Sequence, residues 1–88
     1  MTVENPLNIM RNQVRRVGAW YSFHNMSQRE RVVFPHRASL RALQAYGSIT
    51  ESHLSRLVGQ PEGTVATIVN NLENSGVLVR NQGQIDLT

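Results

Sequence analysis

Nine arginines, six carboxylates and three histidines are the side chains of this 88-residue chain that can take up charge, and cysteine is absent. Without cysteine, disulfides, Fe–S clusters, thiolate zinc sites and thiol nucleophiles are excluded. His24, His36 and His53 stand 12 and 17 residues apart, and none has a second histidine or a carboxylate one helical turn away. That spacing does not build a zinc site, and no metal is expected. Serines and histidines occur without a nucleophile elbow, and the glycines form no phosphate-binding loop. No catalytic residue and no cofactor is therefore expected, and the residue types argue against an enzyme.

The cations say more. All nine are arginine, which suits bidentate contacts with phosphate, guanine or carboxylate. Residues 1–56 carry eight arginines and three acids, a net of +5, whereas residues 57–88 carry Arg80 and three acids, a net of −2. A sequence pI near 10.6 invites a nucleic-acid partner, and the uneven placement puts the attraction in the first half of the chain. The longest apolar runs are triplets such as Val32-Val33-Phe34, too short to cross a membrane. No basic stretch leads into an apolar run at the N-terminus, so a cytoplasmic protein without a signal peptide is expected. The length allows one compact domain with a modest core.

The elements that must position these side chains are mostly helical. From Asn5 to about His24, Leu7, Met10, Val14, Val17 and Tyr21 recur at alternating three- and four-residue steps behind Pro6, a pattern for an amphipathic helix. That seam either packs on its own domain or pairs with a second chain to make a homodimer, and both readings stand. Ser27 with Glu30 fits a capping box for a short helix that Pro35 ends or kinks. A helix from Pro35 to Tyr46 turns Leu40 and Leu43 inward and Arg37, Arg41 and Gln44 outward, and Gly47 is placed to end it in the left-handed conformation. Thr50 can cap a helix over 51–58 with Ile49 and Leu54 spaced as a hydrophobic staple, and Gly59 stops it. Pro61 suits the first position of a helix running to about Ser75, whose buried stripe is Val65, Ile68, Val69 and Leu72. After Gly76 the period shortens. Residues 77–80 and 84–88 are β-prone runs around Asn81-Gln82-Gly83, a hairpin with Gly83 available for positive φ. The fold class expected is mainly α with a small β-hairpin.

Two helices joined by a short turn beginning at Gly59 are the signature of a helix-turn-helix. The run from Ile49 to Arg80 goes further: Leu54, Leu57, Gly59, Pro61, Thr64-Val65, Ile68-Val69, Leu72-Glu73 and Gly76-Val77-Leu78-Val79-Arg80 resemble the winged helix-turn-helix of bacterial and archaeal transcription regulators, in particular the MarR-like group. The resemblance implies a winged helix-turn-helix domain over 27–88 behind an extra N-terminal helix over 1–26. It implies a recognition helix over about 61–75 in the major groove of double-stranded DNA and a wing over 77–88 beside it. On that reading Gln60, Gly63, Thr67, Asn70 and Asn71 meet base edges, and Arg37, Arg41, Arg56, Thr64, Arg80 and Gln82 meet phosphates. Arg11, Arg15 and Arg16 would grip flanking phosphates.

This chain departs from the family's pattern in places. Thr67 stands where MarR-like recognition helices commonly carry Arg or Lys, and residues 57–79 hold no cation and two acids, Glu62 and Glu73. The C-terminal helices that build the family's dimer have no counterpart before Thr88, which leaves the N-terminal helix as the expected dimer surface. An uncharged recognition helix, together with Trp20, Tyr21 and Phe23, also admits a second reading, a winged-helix assembly module that binds a protein partner and reads no bases.

Overall fold

A computed structural model describes residues 17–88. Residues 17–24 form a helix, α1, followed by α2 (Gln28–Val33), α3 (Pro35–Tyr46), α4 (Glu51–Val58) and α5 (Glu62–Asn74), then β1 (Leu78–Asn81) and β2 (Gln84–Leu87). The fold is a winged helix-turn-helix, mainly α with one two-stranded antiparallel hairpin. Leu7, Met10 and Val14 of the expected seam, and Arg11, Arg15 and Arg16, lie outside the described residues.

Local signals account for the helix ends. Ser27 and Glu30 exchange both capping-box hydrogen bonds at the start of α2. Thr50 Oγ1 accepts from the His53 amide at the start of α4, and Gly59 closes that helix in the left-handed conformation, where a residue lacking Cβ costs least. Two expectations shift. Pro61 is the residue before α5 rather than its first turn, with an extended ψ of 151°, because its carbonyl accepts from both Thr64 and Val65 and so opens the helix one residue later. Gly47 has positive φ, 73°, but its ψ of −134° lies outside the left-handed helical well, since the chain must turn at once into the bridge made by Ile49.

The core runs through every layer. Ala38, Ala42 and Leu43 of α3, Leu54 and Val58 of α4, and Val65, Ile68, Val69 and Leu72 of α5 pack with Leu78 and Ile85 of the hairpin. Leu40 and Leu57, expected inside, are only half-buried at its edge. Phe23 and Met26 join this core, so the inner face of α1 is intramolecular. Phe23 is fully buried and drops out of the exposed aromatic surface expected from sequence. Val17 and Tyr21 remain 55% and 57% exposed, with Trp20 edge-on to Tyr21.

The hairpin pairs Leu78 with Leu87 and Arg80 with Ile85, and Ile49 adds a bridge to Ile85 that extends the sheet by one residue. Its turn is Gln82-Gly83 alone, both at positive φ, which gives the tight connection whose twist matches the strands.

Candidate nucleic-acid interface

Helix α5 buries one stripe and leaves the other side bare. Gly63, Thr64, Thr67, Asn70, Asn71 and Asn74 are exposed, as helical spacing requires once Val65, Ile68, Val69 and Leu72 face the core. Thr67 Oγ1 donates to the Gly63 carbonyl at 3.2 Å and keeps its lone pairs outward. No side chain caps the helix, and the first amides with partners inside the chain are those of Thr64 and Val65. The Glu62 and Gly63 amides therefore point out of the helix start, the arrangement that receives a phosphate. A Cβ built on Gly63 would meet nothing within 4 Å, so the chain itself has no packing need for glycine there. The glycine leaves the backbone of α5 uncovered at this point.

The wing side of α5 is closed by charge. Arg80 shares a strand face with Leu78, because successive side chains alternate, and so it points back at the helices rather than outward. Its guanidinium pairs with Glu51 at the first residue of α4, with Glu73 of α5 at 3.2 Å, and with Asn70 Oδ1 at 2.7 Å. The hydrogen bond to Glu51, followed by that to Glu73, outweighs partial desolvation and holds the group further toward its charged form. Arg80, expected on a phosphate, engages three of its five N–H donors inside the chain. Strand parity with Leu78 was the available signal.

Gln60 is likewise engaged. Its Nε2 donates to the Val32 carbonyl at 2.7 Å and ties the helix-turn-helix turn to the end of α2. Arg31, to which sequence reading assigned no role, donates to the Leu57 carbonyl at 3.1 Å and the Phe23 carbonyl at 3.5 Å while lying 4.1 Å over the Phe23 ring. It thereby satisfies a carbonyl of the last turn of α4 and joins three helices. Only the 26-residue reach to Leu57 explains this, and no local pattern reports it.

The opposite side of α5 is open. A groove of about 670 Å³ separates Thr64, Thr67 and Ile68 from Val33, Phe34, Pro35 and Arg37 at the α2–α3 joint. Arg37 is exposed beside this groove with its guanidinium 5.3 Å from the Phe34 ring centroid. Arg41 is half-buried and Arg56 exposed in the last turn of α4; among the described residues, ion pairs form at Arg80 alone. Gln82 is exposed at the wing tip. His24 and His53 flank Tyr46, with His24 Nε2 2.8 Å from the phenol oxygen, and serve packing between α1, α3 and α4.

Residues 40–79 match the family model of the winged helix-turn-helix DNA-binding domain. The match spans α4, the turn and α5 and reaches from the middle of α3 to the start of the wing, so it covers the bare helix face just described. It supports a DNA-binding regulator with double-stranded DNA as partner, and points away from an enzyme. No curated protein and no solved structure matches the chain. No helix among the described residues is long and apolar enough to cross a membrane.

Proposed function

We propose that this winged helix is a sequence-specific transcriptional regulator of the MarR-like kind, which sets α5 in the major groove and its hairpin alongside. The observation that carries the reading is the bare face of α5. Small uncharged side chains, an open helix start and a glycine without a packing role leave room for a duplex edge. Thr67, Asn70 and Asn71 reach base edges, with Gly63 admitting the close approach, and the Glu62 and Gly63 amides take a phosphate. Among cations, Arg37 is best placed, since it borders the same groove as Thr64 and Thr67. Arg41, Arg56 and Gln82 add outer phosphate contacts.

Binding is tested by titrating the protein against duplex pools at several salt concentrations. Affinity should fall with salt, by a slope of about 0.9 per phosphate contact on a log–log plot. Absence of binding to any duplex at low salt overturns the proposal.

A regulator of this kind reads two half-sites as a dimer, and α1 offers the surface. Its outer residues Val17, Trp20 and Tyr21 are exposed while Phe23 anchors it inward. Light scattering on the wild type and on Tyr21→Asp reads this out: a dimer that the substitution dissociates supports it, and a monomeric wild type sinks it.

A further inference from the structure

The Arg80 cluster determines which way the Asn70 amide faces. An arginine has five N–H donors and no acceptor, so the atom 2.7 Å from Arg80 Nη2 must be the amide oxygen. Asn70 Nδ2 is consequently turned away from the guanidinium, and no hydrogen bond among the described residues uses it. Glu51 of α4 and Glu73 of α5 pair with the same guanidinium and hold it against Asn70. Asn70 itself is exposed on the bare face of α5.

An asparagine reads adenine by using both ends of its amide, Nδ2–H to N7 and Oδ1 from the N6 amino group. With Oδ1 turned toward Arg80 and one of its two lone pairs taken, the outward end presents the two N–H donors. Their complement in the major groove is a base edge with two adjacent acceptors, the N7 and O6 of guanine. We propose that Asn70 selects guanine rather than adenine, and that Arg80 is the positioning residue that sets this choice. The inference rests on the DNA-reading role given above.

The experiment is selection from a randomised duplex pool by the wild type, Asn70→Ala and Arg80→Met. The position whose preference disappears in Asn70→Ala is the one Asn70 reads, and alanine at this exposed helical site leaves folding intact. At that position the wild type should favour guanine over adenine by roughly tenfold. Replacing that guanine with 7-deazaguanine should weaken the wild type several-fold and leave Asn70→Ala unchanged. Arg80→Met, which removes the donors and keeps the stem, should turn the preference toward adenine. If the wild type already prefers adenine there, or if Asn70→Ala changes no position, the proposal is overturned even when Arg80→Met proves unstable. A wild type that binds duplexes but fails this test removes the Asn70 assignment alone, whereas one that binds no duplex removes the DNA-reading role as well.

Discussion

The two flanks of α5 are built on opposite plans. Toward the wing, Asn70 and Glu73 are bound to an arginine that a second carboxylate, Glu51, also holds. Toward the α2–α3 joint, Thr64 and Thr67 face an open groove bordered by Phe34 and by Arg37, which has no carboxylate partner among the described residues. Arg80 lies nearer to α5 in the chain, yet its charge is matched twice over. Arg37, 30 residues before Thr67, has its charge to offer. Availability of a cation thus follows from what its strand or helix face points at, and not from its distance along the chain to the helix it would assist.

The largest test of this contrast is thermodynamic. Leu78, buried beneath the Arg80 clamp, should cost about 2–5 kcal/mol when cut to alanine, whereas Phe34→Ala, at a site 48% exposed, should cost under about 1 kcal/mol. Urea denaturation of both variants measures this, and equal costs would erase the distinction between a packed flank and an open one. Next comes charge. Arg37→Ala should reduce the salt slope of DNA binding by about 0.9, and Arg80→Ala should leave it nearly unchanged because the guanidinium is already neutralised. The reverse order would mean that the cluster opens on DNA.

Gly63→Ala sharpens the picture at the helix start. Alanine at an unobstructed helical site should raise stability by up to about 1 kcal/mol in thermal melts. In the same variant DNA affinity should drop, since the added methyl keeps the duplex from the backbone. Smallest is the wing tip. Gln82 holds a φ of 52°, which asparagine tolerates better, so Gln82→Asn should stabilise the hairpin by about 0.5 kcal/mol or somewhat more and leave α5 unaffected. A melt that does not rise would show that the turn is not strained.

What could be read from sequence was what depends on neighbours in the chain. The caps at Ser27 and Thr50, the glycines at 59 and 83, and the stripe from Val65 to Leu72 all arise from interactions within one or two turns, and the structure carries each of them. The exposed face of α5 follows from that stripe. What could not be read were partners far apart in sequence: Glu51 lies 29 residues from Arg80, and Val32 lies 28 residues from Gln60. The resemblance assigns both side chains to DNA, and their neighbours in the chain give no sign of these intramolecular partners. The burial of Phe23 is of the same kind, since its position beside Trp20 and Tyr21 says nothing of the helices it packs against. For Arg80 the two-residue period of the strand already places its side chain on the face of Leu78.

The Arg31 bonds set the spacing between two helix ends. One guanidinium holds the Phe23 carbonyl near the end of α1 and the Leu57 carbonyl near the end of α4, and its Nε is buried without a partner. Both carbonyls lie near helix ends, so the guanidinium joins the end of α1 to the last turn of α4, two residues before Gly59. One planar group thus sets the spacing between the end of α1 and the end of α4, alongside the Phe23 and Met26 packing.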